Sequence, residues 1–100
     1  MQTAPPITAQ QAQAIANQLL SDHLGDRFMA DFADRTSTEN QWRVPIILAY
    51  PTLGSLGEVG EIWVSTLTET VVAHTPFEDM ESAARTLYHL HQHDIEAPVQ

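Results

Sequence analysis

The sequence predicts an α+β domain in which two helices pack on one face of a four-stranded antiparallel sheet, in the order α-β-β-β-β-α. Three observations lead to this fold class. Apolar residues recur at helical spacing near both ends of the chain, and they alternate with polar residues between these two segments. The connections between neighbouring strands are short, which favours antiparallel pairing because parallel neighbours need a long crossover.

The first predicted helix begins at Thr8. The segment from Thr8 to Gln11 fits a capping box, in which the hydroxyl accepts from a backbone N–H and the glutamine side chain returns to the cap. Gly25 is expected to end the helix in the left-handed conformation. The predicted buried face consists of Ala12, Ile15, Ala16, Leu19, Leu20 and Leu24.

Alternating patterns then predict the sheet. The alternation is strongest over residues 42–50, the second of the predicted strands. This segment contains Pro45, which cannot donate to a ladder and is therefore expected at a free edge or a bulge. The glycine-containing segment 51–57 is predicted to be a loop. The four predicted strands are residues 28–32, 42–50, 59–66 and 70–74.

The second helix is predicted to begin at Thr75, with Thr75 as the hydroxyl cap, Pro76 at the first helical position and Glu78 at the third. Its predicted buried stripe consists of Phe77, Met80, Ala83, Ala84, Leu87 and Leu90. The chain thus divides into a flexible N-terminal arm (1–7), one α+β domain (8–94) and a C-terminal tail (95–100).

Composition restricts the possible functions. Thirteen acidic residues and four basic ones give a formal net charge of −9, and all four basic residues are arginines. This charge disfavours nucleic acid and anionic membranes as partners, and it leaves a neutral or basic protein as the plausible one. The chain has no cysteine, no signal peptide pattern and no apolar run of membrane-spanning length. A cytoplasmic protein is therefore expected.

The histidines of the second helix are the candidate metal ligands. His89 and His93 are one helical turn apart, so both can reach one ion, and Glu96 could supply a third ligand. The simpler interpretation is a polar helix end, where imidazolium groups complement the helix dipole. We expect no bound cofactor. No set of carboxylates, serines or glycines matches a known catalytic arrangement, so the sequence predicts that the protein is not an enzyme.

The aromatic and branched residues suggest an interface. If Ile62 and Val64 face the helices, then Trp63, Val59, Ile47 and Ala49 face the other side of the sheet, where they would form an apolar patch. Such a patch predicts a protein-interaction or regulatory module, and self-association as a homodimer is its simplest form. The alternative is that the N-terminal arm or the loop from Pro51 covers Trp63. A pocket between helix and sheet, lined by Phe28, Phe32 and Tyr50, is the small-ligand alternative.

The run Gly60-Glu61-Ile62-Trp63-Val64, followed by Thr68-Glu69-Thr70-Val71-Val72, resembles the hairpin of PepSY-type domains. The helix containing residues 11–16 and the strand at 42–44 occur in the order of that family. Ser65 and Glu69 stand where the family hairpin usually has an aspartate and a glycine. The resemblance implies a helix packed on an antiparallel sheet, and a binding or inhibitory module without catalytic residues.

Overall fold

A computed structural model describes residues 7–25, 27–35, 40–50 and 53–92. They form an α+β arrangement in the predicted order, with two helices and an antiparallel curled sheet. Two short segments pair with the same edge of the third strand, where one strand was predicted. The elements in chain order are α1 (Ala9–His23), β1 (Phe28–Ala30), β2 (Asp34–Arg35), β3 (Gln41–Tyr50), β4 (Gly54–Ser65), β5 (Val71–His74) and α2 (Phe77–Leu90).

The sheet is built on a long β3–β4 hairpin, with β1 and β2 along the outer edge of β3 and β5 along the outer edge of β4. Pro45 lies in β3 opposite the interruption between β1 and β2, and its carbonyl accepts from the N–H of Asp31 there. A residue directs its nitrogen and its carbonyl to the same side of a strand, so the missing proline N–H faces this interruption. The proline therefore costs the sheet no regular ladder bond.

Both helices pack on one face of the sheet. The apolar core between the layers contains Leu20 of α1, Met80 of α2 and alternate residues of the two long strands, all of them buried. The strand residues of this core are Val44, Ile46, Leu48, Ile62 and Val64. Ile7, predicted to belong to a free arm, is instead 5% exposed, and its N–H donates to the carbonyl of Thr66.

The helix ends confirm one predicted cap and correct two. The capping box of Thr8 and Gln11 is formed. Gly25 directly follows Leu24, the C-cap of α1, but it does not adopt the predicted left-handed conformation, because the chain leaves the helix through an extended Leu24. Helix α2 has Pro76 as its N-cap and no side-chain cap bond. The reason is that the Thr75 hydroxyl accepts from the N–H of Glu61, which ties it to β4.

Three further predictions of burial and strand extent were wrong. Phe32 is 82% exposed because the chain leaves the ladder after Ala30, and Leu90 is 73% exposed because α2 ends at that residue. Residues 54–57 belong to β4 rather than to a loop, since positive φ angles at Gly54 and Gly57 (76° and 150°) let the strand continue through its irregular pairing.

Candidate interaction surface and ligand groove

The side of the sheet opposite the helices carries a surface that we call the open face. Register defines it: alternation along β3 and β4 and cross-strand pairing place its side chains away from the buried core. All of them are half-buried or exposed, and within the described residues neither helix covers them. The open face includes Met29, Asp34, Arg43, Pro45, Ile47, Ala49, Ser55, Glu58, Glu61, Trp63 and Ala73.

An ion cluster occupies the centre of the open face. The Nε of Arg43 is 2.6 Å from Oε1 of Glu61, and its Nη2 is 2.6 Å from Oε2 of Glu58. Asp34 of β2 contributes a third carboxylate, with its Oδ2 3.7 Å from Nη1. The hydrogen bond to Glu61 raises the pKa of Arg43, although partial burial acts in the opposite direction. Three carboxylates around one guanidinium leave an excess of two negative charges.

The same cluster orients Trp63. The indole Nε1 donates to Oε2 of Glu61 at 3.0 Å, while the other oxygen of that carboxylate accepts from Arg43. Arg43 and Trp63 are also direct cross-strand partners. The indole is therefore held at one end by a hydrogen bond while its ring remains half-exposed on the open face. A held, partly exposed aromatic ring is the kind of group that anchors protein interfaces.

Of the four predicted interface residues, Trp63, Ile47 and Ala49 lie on the open face, and Val59 does not. Val59 is 6% exposed and belongs to the core. The cause is a register shift: Ile46 pairs with Gly60 and Ile47 with Glu58, so Val59 is the extra residue of a bulge. The bulge turns Val59 inward and places Glu58 beside Arg43, a position that alternation alone did not predict.

The two edges of the sheet differ. At the β1 edge, the side chains of α1 satisfy the outward backbone groups: Asn17 accepts from the N–H of Ala30, and Gln13 donates to its carbonyl. At the other edge, β5 pairs with β4 only at residues 62–64. Among the described residues, the segment Gly54–Gly60 therefore has a strand neighbour on one side only, and this edge is open to a further strand.

A groove of about 300 Å³ lies on the helix side, between α2 and the end of the sheet formed by β1 and β3. Its sheet wall includes Phe28, Leu48 and Tyr50, and its helix wall includes Ala84 and Tyr88. Two residues of the predicted pocket, Phe28 and Tyr50, thus line it. Phe32, the third, is exposed and is absent from its lining.

The histidine prediction is only partly within the described residues. His89 is exposed at the end of α2, with its Nδ1 3.4 Å from Oε1 of Gln92. His93 and Glu96 lie outside the described residues, so the metal site stays a prediction. Within the described ranges, no three histidine, aspartate or glutamate side chains are grouped as metal ligands. Neither described helix has the length and apolar character needed to cross a bilayer.

Comparison of the chain with family models, with curated proteins and with solved structures gives no match. The open face and the groove are therefore the features from which a function can be inferred. The position of Trp63 was predicted from the sequence, whereas the ion cluster and the two arginines of the groove were not. Arg43 alternates with Ile47 and could have been placed on the open face, whereas its carboxylate partners depend on the bulge and on β2 pairing.

Proposed function

We propose that this chain is a non-enzymatic protein-interaction module that binds a neutral or basic protein surface on the open face of its sheet. The observation that supports this most strongly is the position of Trp63 on the side of the sheet opposite both helices. A reducing, cytoplasmic setting is part of the proposal, because a domain of this size without cysteine does not depend on disulfides.

The arrangement of the open face supports a specific kind of partner. Trp63 and Ala73 lie on one side of the ion cluster, and Ile47 and Met29 lie on the other. Met29 is 46% exposed, so apolar surface is present at a distance from the tryptophan. A partner that buries these apolar groups meets the excess negative charge between them. The carboxylates would attract a basic side chain of the partner at that point, and this attraction would increase the rate of association.

Self-association through the same face, predicted from the sequence, is the second candidate. Closed two-fold dimers are the commonest oligomers, and a dimer needs no other component. Stacking two copies of the open face would, however, bring two negatively charged clusters together. A dimer is therefore expected to strengthen as salt increases, whereas a complex with a basic partner weakens. Sedimentation at about micromolar concentration in low and high salt separates the two.

The PepSY resemblance also remains a proposal. It is compatible with a binding module, and the turn between β4 and β5 has places for Ser65 and Glu69, the two departures from the family pattern. The Ser65 hydroxyl accepts from the N–H groups of Leu67 and Thr68, as an aspartate carboxylate would. Glu69 has φ 59°, the left-handed conformation that glycine adopts most easily. The two departures from the family pattern thus occupy turn positions that the family residues would also suit.

The test compares Trp63→Ala with a matched control, Leu67→Ala. Leu67 is 64% exposed on the β4–β5 turn, so its truncation also removes apolar surface but leaves the open face intact. Tagged wild-type protein captures partners, and each captured protein is then purified and titrated against the three forms by calorimetry. Both variants must first show wild-type circular dichroism.

We expect Leu67→Ala to bind as wild type does and Trp63→Ala to bind about 30-fold more weakly, the typical loss at an interface hot spot. Ile47→Ser should give a weaker loss in the same direction. Equal affinity for wild type and Trp63→Ala, with every purified partner and in self-association, would refute the proposed docking surface.

A further inference from the structure

The groove between α2 and the β1–β3 end of the sheet has an unusual charge for this protein. Arg27 and Arg85, two of only four basic residues in a chain with thirteen acidic ones, both line it. Among the described residues, neither forms an ion pair. Arg43 by contrast is surrounded by carboxylates on the other side of the sheet. The groove is thus a positive site on a protein whose net charge is strongly negative.

The position of Arg27 is partly fixed. Its guanidinium carbon lies 4.6 Å from the centroid of the Tyr50 ring, a cation–π contact. Such stacking uses the flat face of the guanidinium and leaves the N–H groups at its edge available as donors. Arg85 projects from α2 on the opposite wall, with Tyr88 one turn further along the same helix. Guanidinium donors therefore belong to both walls of one groove.

The walls between the two arginines are apolar and aromatic. Phe28 and Tyr50 are half-buried, and Leu48 and Ala84 are buried beneath them. Surfaces of this composition bind flat hydrocarbon or aromatic groups, and a volume near 300 Å³ is at the small end of the range for ligand sites. The lining also includes Glu81, one turn before Arg85. Two guanidinium groups and one carboxylate leave one excess positive charge.

We propose that this groove binds a small aromatic carboxylate, with its ring between Tyr50 and Tyr88 and its carboxylate accepting hydrogen bonds from Arg27 and Arg85. The single excess positive charge favours a carboxylate over a doubly charged phosphate monoester. The site is on the helix side, so its occupancy does not depend on the open face or on any protein partner. The test of ligand binding in the groove can therefore succeed or fail independently of the test of the proposed interaction function.

The experiment is a ¹H–¹⁵N NMR titration of the full chain with 1-naphthoate, with 1-naphthyl phosphate as the phosphate arm and uncharged 1-naphthamide as the shape control. We expect saturable shifts of the Arg27 and Arg85 Nε–Hε signals, with a Kd of roughly 1 mM or tighter for 1-naphthoate. The amide, which lacks the charge, should bind about tenfold more weakly. Tighter binding of the phosphate would overturn the carboxylate assignment.

Charge-matched variants test the named arginines. Arg85→Gln should weaken 1-naphthoate binding about tenfold, and Glu81→Gln should strengthen it severalfold. Arg35→Gln makes the same charge change in β2, where Arg35 pairs with Trp42 at the end of β3 that is distant from the groove. This control substitution should leave binding unchanged. Three results would each overturn the proposal: no saturation up to about 10 mM, equal binding of the amide, or equal weakening by Arg35→Gln and Arg85→Gln.

Discussion

Gly60 gives the sharpest test of how α2 packs on the sheet. A Cβ at this position would lie 2.9 Å from the Thr75 Cβ and 3.0 Å from the Met80 Cγ, which is closer than side chains normally approach. Neither neighbour can easily move: Thr75 exchanges two hydrogen bonds with Glu61, and Met80 is fully buried. Gly60→Ala therefore introduces a methyl group into space that is already filled.

The magnitude follows from two opposing effects. Overpacking a buried position costs about 1–3 kcal/mol. Replacing glycine by alanine also restricts the unfolded chain, which stabilises the folded state by about 0.4–1 kcal/mol. The net expectation for Gly60→Ala is a loss of roughly 0.5–2 kcal/mol. For a domain of this size, that corresponds to a melting midpoint lower by roughly 2–16 °C.

Gly25→Ala is the matched control. It has the same effect on the unfolded chain, but its Cβ would meet nothing within 4 Å. We expect it to be neutral or slightly stabilising. Urea unfolding followed by circular dichroism measures both variants. If Gly60→Ala and Gly25→Ala had the same free energy of unfolding, α2 could not cover β4 at Gly60 as described.

Two further predictions concern charge and backbone conformation. Arg43→Gln leaves three carboxylates without their counterion and should lower the free energy of unfolding by roughly 1 kcal/mol at low salt, with a smaller loss at about 1 M salt. The control, Arg85→Gln, breaks no ion pair among the described residues and should change the free energy of unfolding little. Urea titrations that show equal effects of the two substitutions would contradict the ion cluster. Glu69→Gly should raise the melting midpoint slightly, because glycine relieves about 1–2 kcal/mol of left-handed strain, which exceeds the cost of about 0.4–1 kcal/mol from a less restricted unfolded chain. A lower midpoint would show that the strain at Glu69 is smaller than this cost.

The parts of the fold that depend on local pattern were predictable. Thr8 and Gln11 form their capping box because both partners are three residues apart in the chain. The alternation along β3 placed Ile47 and Ala49 on the side away from the helices, since each second residue of the strand faces the helices. The order of helices and strands followed from the change in period and from the short connections between strands.

The remaining features depend on contacts between distant segments. The residues after Thr75 are typical of a capped helix, but the Thr75 hydroxyl accepts a hydrogen bond from the N–H of Glu61 in β4 instead of capping α2. Val59 continues an alternating pattern that the bulge interrupts, and the sequence does not show where a pairing register shifts. The ion cluster could not be predicted for the same reason, because Glu58 reaches Arg43 only as a result of that register shift.

The tryptophan indole signals in a ¹H–¹⁵N spectrum test the proposed interaction surface most directly. The chain has two tryptophans: Trp63 on the open face, and Trp42, whose Nε1 donates to the carbonyl of Ile7 on the helix side. With the signals assigned by Trp63→Phe, addition of a purified partner should shift the Trp63 indole and leave the Trp42 indole in place. A shift of Trp42 and of α2 residues, with Trp63 unchanged, would contradict docking on the open face.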